Sequence, residues 1–240
     1  MENIEDKTVA EIVTKNIKTA DIFKKNGIDF CCGGNVKLQD ICNKKGVDFN
    51  KIKEDLNNIG NQTSSPAENY NSWDLDFLTD YILNTHHKYV IEANELVIQY
   101  SDKVAKVHGH HYTEVVEINK LFHSLANELK MHMHKEEMIL FPYIKDLAIA
   151  QKNKTKIIPP AFSTIQNPIN MMEAEHDDAG DILKSIAKLS NNFTPPEGAC
   201  NTFRALYANL EEYQNDLFQH IHLENNILFP KAIKLEKELS

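Results

Sequence analysis

The sequence predicts an all-α protein, an up-down four-helix bundle preceded by a small helical domain. Three observations carry this. Four long stretches in roughly the last 170 residues space their apolar residues as helices do; convincing period-two alternation is absent; and an eleven-residue segment recurs after 88 residues.

The elements follow in chain order. Residues 8 to 26, 38 to 45 and 50 to 59 read as short helices, broken by Gly27, the Gly33-Gly34 pair and Gly46, so that residues 1–60 form a small cysteine-bearing helical domain. Residues 61–72 are polar and turn-prone and read as a linker. Residues 73–240 carry four longer helical patterns, near 74–107, 112–149, 164–190 and 199–238. Asp74 stands ahead of a periodic apolar series, Leu75, Leu78, Ile82, Tyr89 and Leu96, which is a core-facing stripe. Gly109, the Pro159-Pro160 segment and Pro195-Pro196 separate the four, and their mostly short connections suit a bundle.

Composition narrows the function. Apolar residues are 42% and charged residues 25% of the 240, an ordinary globular balance. The net charge is −9 and Arg204 is the only arginine, so no basic surface awaits a phosphate backbone and nucleic acid is not an expected partner. No stretch approaches the ~18 apolar residues of a membrane span, and Met1 to Val13 lacks the pattern of a signal peptide; the cytoplasm is the expected location. Cys31, Cys32, Cys42 and Cys200 do not make a disulfide framework. Adjacent Cα atoms lie about 3.8 Å apart, too close for an unstrained bridge between Cys31 and Cys32, so reduced thiols are expected.

The repeat carries the chemistry. Residues 132–142 read HMHKEEMILFP and residues 220–230 read HIHLENNILFP, identical at seven of eleven positions. His86 and His176, 90 residues apart, precede the two copies, so this half of the chain reads as two helical hairpins related by a pseudo-twofold around one site. On a helix, residues i and i+4 differ by about 40° in direction and about 6 Å in height and can address one point. His132 with Glu136 and His220 with Glu224 are such pairs. One pair among eleven histidines arises easily by chance; repetition in the same context is what points to a site.

With His86 and His176 the set is four imidazoles and two carboxylates from four helices, enough for two metals. If Glu136 and Glu224 each bridge, every metal has four protein donors. An oxo or hydroxo bridge makes a fifth, and an octahedral iron keeps one position open for a small molecule or for release. This mixture suits iron and disfavours copper(I); zinc and manganese stay open on ligand type alone.

His87, rotated about 100° from His86, competes for the first helix's ligand position. His134 and His222 lie about 200° around the helix from their partners and are expected to face outward. His108, His110 and His111 cluster at a break and read as a solvated turn. Leu140-Phe141-Pro142 and Leu228-Phe229-Pro230 read as apolar plugs below the metals, with each proline bending its helix just past the ligands. Glu128, four residues before His132, and Glu175, just before His176, either bond a ligand imidazole from outside, relay protons, or are ordinary surface glutamates. Cys31 and Cys32, ahead of Gly33-Gly34, are either two half-buried residues of a tight turn or a redox or metal-handling thiol pair. Cys42 and Cys200 read as core filler.

At DFCCGG (29–34), EHDDAG (175–180) and the two LFP segments the chain closely resembles the iron-sulfur cluster repair di-iron proteins, over nearly its whole length. The resemblance implies a hemerythrin-like bundle holding two non-haem irons with oxo or hydroxo and carboxylate bridges. Their ligands would be His86, His132, Glu136, His176, His220 and Glu224, with Glu128 and Glu175 as outer or channel glutamates. It further implies restoration of iron-sulfur clusters damaged by oxidative or nitrosative stress, through donation of iron or through nitric oxide chemistry at the two irons. Damaged iron-sulfur proteins would then be the partners, with Cys31 and Cys32 contacting them or reducing the centre, and nitric oxide or dioxygen the small ligands. The alternatives are an enzyme that reduces nitric oxide at the two irons, and a dioxygen-binding or redox-sensing module of the kind that simpler hemerythrin-like bundles form. The small size of the N-terminal helices adds the expectation of a homodimer.

Overall fold

The computed structural model describes residues 4–60, 69–158 and 160–240. Pro159 and most of the expected linker, residues 61–68, fall outside these.

At the N-terminal end Thr8 and Glu11 form a reciprocal cap: the Thr8 hydroxyl accepts from the Glu11 backbone and the Glu11 carboxylate accepts from the Thr8 backbone. This starts α1 (Val9–Lys15). The helix expected to run unbroken over 8–26 is two pieces, because Asn16 is extended and turns its side-chain oxygen onto the Lys18 backbone, competing with the helical ladder. α2 (Ala20–Lys25), α3 (Leu38–Lys45) and α4 (Phe49–Gly60) follow. Among the described residues there is no strand; one isolated antiparallel bridge joins Thr8 and Lys37.

The rest is four long rods, three of them interrupted. Rod one is α5 (Leu75–Ile82), a π turn (Leu83–His87) and α6 (Lys88–His108). Rod two is α7 (Glu114–Lys135), a π turn (Glu136–Leu140) and α8 (Phe141–Asn153). Rod three is α9 (Gln166–Leu189). Rod four is α10 (Asn201–Leu223), a π turn (Glu224–Leu228) and α11 (Phe229–Leu239). α6 packs on α7 and α10, and α9 packs on α7 and α10, so the rods close a square. Pro142 and Pro230 each follow a π turn by two residues, and the turn absorbs the backbone bond a proline cannot donate. Rod one has such a turn without a proline, so prolines are not its only cause.

Two apolar clusters divide the bundle lengthwise. One joins α1–α4 to the upper rods, with Val13, Phe23 and Leu38 in the same core as Phe122, Leu183 and Leu210. The other fills the lower end with Leu78, Ile82, Ile144, Leu147, Leu228 and Ala232. Tyr70, in the last part of the expected linker, is buried there against Trp73 and Tyr81. The buried Glu236 carboxylate accepts from the Tyr143 and Thr164 hydroxyls and the Ile165 backbone, tying α11 to the start of α9. The π turns lie between the clusters, and there the inward side chains are polar.

Candidate metal centre

A π turn adds one residue to a helical turn and shifts what faces inward after it; such turns gather at functional sites. Here they come at one level on three rods, each beginning at or ending on an inward-facing His or Glu. On rod one the turn moves the facing position from i+4 to i+5 after Ile82, which brings in His87. His86 was the expected ligand, and the structure places it outside the convergent set.

Two groups of four buried side chains come together: His132, Glu136, His176 and Glu224 in one, and His87, Glu136, His220 and Glu224 in the other. Within each group one nitrogen or oxygen per residue lies within 4.8 Å of all the rest. Both carboxylates are shared. Glu136 turns Oε1 to His132 Nε2 (3.3 Å) and Oε2 to His87 Nε2 (3.4 Å). Glu224 turns Oε2 to His176 Nε2 (3.1 Å) and Oε1 to His220 Nε2 (3.1 Å). Neither carboxylate is exposed to solvent at all.

Outside this ring, other side chains hold the imidazoles by their second nitrogens. His87 Nδ1 is 2.8 Å from Glu137 Oε1, and His176 Nδ1 is 2.8 Å from Asn225 Oδ1. Glu137 and Asn225 occupy matching places in the two repeats, each just after its shared glutamate. Glu175 Oε2 is 2.8 Å from His132 Nδ1, and its other oxygen pairs with Lys135. Glu128 accepts from the Ser124 hydroxyl and is exposed, lining a cleft with Glu175. Phe141 stacks on His87 at 5.5 Å and Phe229 on His176 at 6.2 Å, so the LFP segments form the floor of the site.

The electrostatics are those of a cation site. Burial and the neighbouring Glu224 both raise the Glu136 carboxyl, but His132 and His87 outweigh them and hold it below the ordinary range. Glu224 is likewise raised by burial yet held well below that range by His220 and His176. Burial pushes His132 down, while Glu136, Glu175 and Glu224 lift it to about 10. Both oxygens of each shared carboxylate, and Nε2 of His87 and of His220, make ion-pair contacts but no well-formed hydrogen bond. His132 and His176 face each other nitrogen to nitrogen at 3.0 Å. Buried acceptors left in this state cost several kcal/mol unless a cation takes them. The donor set therefore fits two metal ions, with two imidazoles and two carboxylate oxygens for each.

The other expectations divide. His134 is exposed as expected, but His222 is fully buried: it packs edge-on to Phe30 at 5.9 Å, and its Nδ1 accepts from Asn226. The docked N-terminal helices cover the face that a bare bundle would leave open. His110 and His111 are exposed, whereas His108 ends α6 half-buried against Phe203. Cys42 is buried; Cys200 is exposed, because it precedes α10 rather than lying inside it. Cys31 is buried and Cys32 half-buried. The Cys32 thiol donates to the His176 carbonyl at 3.5 Å, and Asn226 donates to the carbonyls of Phe30 and Cys31. The cysteine segment thus sits one layer above the metal centre. Glu137, Asn225 and Asn226 were missed by sequence reasoning, although the repeat aligns the first two.

Two family profiles match the chain: the hemerythrin HHE cation binding domain over residues 78–232, and the ScdA_N domain, of unknown function, over residues 5–59. Among curated relatives, the iron-sulfur cluster repair protein YtfE of Yersinia pseudotuberculosis serotype IB (strain PB1/+) is 36% identical over 216 residues, covering 90% of this chain and 91% of its own length. YtfE of Yersinia pestis (strain Pestoides F) is 36% identical over 220 residues, covering 91% and 93%.

Proposed function

We infer the function from one premise: the chain belongs to the hemerythrin-like iron-sulfur cluster repair proteins. It is a di-iron protein that repairs iron-sulfur clusters, and damaged cluster proteins are its targets. We assign one iron to His132 and His176, the other to His87 and His220, and both to Glu136 and Glu224. When bound, the irons supply redox chemistry, open coordination positions and the cargo for a damaged cluster. The observation that carries this reading is the sharing of the two carboxylates, each with one oxygen toward each histidine pair.

The chain's own residues explain how iron is both kept and released. Two buried carboxylates would balance half of the charge of two ferrous ions, while Glu137, Asn225 and Glu175 fix the imidazole rings through their outer nitrogens. Phe141 and Phe229 keep water from below. Four protein donors for each iron would leave positions open, through which iron would pass to a client and nitric oxide or dioxygen would enter. Cys32, whose thiol donates to the His176 carbonyl, is the half-buried thiol nearest the centre that a client would meet. No helix among the described residues is long and apolar enough to cross a membrane, and we propose that the protein acts in the cytoplasm.

The test adds anaerobically iron-loaded protein to a dehydratase whose [4Fe-4S] cluster has been oxidatively damaged. Recovery of dehydratase activity in proportion to iron supplied is expected, with none from a Glu136→Ala, Glu224→Ala variant. Equal recovery with metal-free protein would overturn the reading.

A further inference from the structure

The pseudo-twofold pairs His87 with His176, His132 with His220, Glu136 with Glu224 and Phe141 with Phe229, at offsets of 88 or 89 residues. The same offsets pair Glu175 with His86 and Glu128 with Asp216. At these two positions the halves differ in chemistry.

Beside His132 the residue is a carboxylate that reaches solvent. Glu175 bonds His132 Nδ1, keeps 33% of its side chain exposed and opens onto a cleft of about 450 Å³, shared with Glu128, Lys135 and Asp178. In the other half the matching residue is an imidazole that does not reach solvent. His86 is 2% exposed, lies parallel to His220 at 5.5 Å and meets Tyr81 edge-on at 5.7 Å. Its Nδ1 is 2.9 Å from Asp216 Oδ1, one helical turn before His220 on the same rod.

Apart from the shared carboxylates and the nitrogens that face them, three buried atoms on this side have no hydrogen-bond partner: His86 Nε2, Asp216 Oδ2 and His220 Nδ1. A metal-bound imidazole nearly always donates its outer N–H to a carboxylate, a carbonyl or water. His87, His132 and His176 each have a side-chain oxygen there, and for His220 the buried acceptor one turn away is Asp216 Oδ2. Phe141 and Phe229 floor both halves alike, and Glu137 on His87 is as exposed as Glu175 on His132, so the halves differ in the cleft that opens beside Glu175 and in the buried His86 stacked on His220.

We propose that the Asp216–His86 pair positions His220 and closes its side of the centre, making the two metal positions unequal. The His132–His176 position gives up its metal first, and the His87–His220 position retains it. Release needs water or a competing ligand to replace protein donors one by one, and the cleft beside Glu175 admits both, where the stacked, buried His86 beside His220 admits neither. This rests on the two-iron reading above. Asp216 and His86 act through His220 and are positioning residues.

The experiment mixes the full-length protein, anaerobically loaded with two ferrous ions, with excess ferrozine and follows the coloured chelate. Two phases of one iron each are expected, the second at least ten-fold slower, with a mononuclear Mössbauer signal at the end of the first. Asp216→Asn and His86→Gln should speed the slow phase at least several-fold and leave the fast one in place; Asp216→Glu should restore it. Glu175→Leu, which removes both the bond to His132 and a polar wall of the cleft, should change only the fast phase. Thermal unfolding of each metal-free variant separates loss of positioning from loss of fold. A single phase in the unaltered protein, or a slow phase indifferent to Asp216 and His86 alike, overturns the proposal. No client is present, so a single phase leaves cluster repair standing, while two phases with failed repair sink only the repair reading.

Discussion

His87 Nδ1 lies 2.8 Å from the Glu137 carboxylate, and this bond fixes which of two adjacent histidines faces the other three. With its outer nitrogen tied, His87 presents Nε2 to Glu136, while His86 turns to Asp216. His87→Ala should reduce anaerobic iron content from two per chain to one or none. His86→Ala should still bind two when loaded to saturation. Glu137→Ala should weaken iron binding about 10- to 100-fold, the usual effect of losing such a partner. Metal analysis after desalting checks all three, and equal iron loss from the two histidine variants would return the ligand position to doubt.

How legible the site was depended on helical period. His132, Glu136, His220 and Glu224 are i, i+4 pairs inside regular helix up to the start of a π turn, so ordinary spacing finds them. The choice between His86 and His87 comes at the end of a π turn, where 3.6-residue arithmetic is off by one, and nothing in a polar LNTHH segment announces that turn. His222 was misread for another reason. A face of α10 that looks solvent-bound in an isolated bundle is covered by Phe30, almost 200 residues earlier, and periodicity carries no record of such a partner. The four rods were legible because long amphipathic stripes with Gly and Pro breaks leave little else to form.

The aromatic floor gives a stability prediction. Phe141 and Phe229 are at most 1% exposed and each stacks on an imidazole of the centre. Truncation to Ala should cost about 3–5 kcal/mol by lost burial and cavity formation. It should also admit water beneath the metals, so Phe229→Ala should lose iron to a chelator faster than Phe229→Leu. Urea unfolding of metal-free protein gives the first number. If Leu and Ala variants retain iron equally, the ring has no part in excluding water.

Thiol reactivity should follow position. The Cys31 thiol is pushed well up by its contact with Cys32, by burial and by the Asp29 carboxylate, which also accepts from the Cys31 backbone. Cys200 is exposed and Cys32 half-buried. Brief iodoacetamide treatment at pH 8, read by peptide mass spectrometry, should label Cys200 first, Cys32 next and Cys31 last. Lys184→Ala removes the 3.0 Å ion pair that ties Asp29 to α9 and should raise labelling of Cys32. Cys31 labelled ahead of Cys32 would contradict the docked segment.

Acid should undo the cover over the bundle through His222. Burial pushes this imidazole down from 6.5 to about 4 against the opposing pull of the Phe30 backbone, and its Nδ1 accepts from Asn226. A base whose folded pKa is depressed is neutral in the native state, while the unfolded chain takes up its proton first. Between these two values the unfolded state binds more protons, so stability falls as pH drops from about 6.5 to about 4 and is steady above that window. A shift of this size corresponds to about 3 kcal/mol at the acid end. His222→Phe keeps an aromatic ring beside Phe30 but has no site to protonate. Its metal-free form should lose less stability between pH 6.5 and 4.5 than the metal-free parent, whatever the starting difference at neutral pH. Chemical denaturation at a series of pH values, with chelator present in both samples, measures the two slopes. Parallel slopes would mean that His222 charges without disturbing Phe30, and that acid acts on the fold through the carboxylates instead.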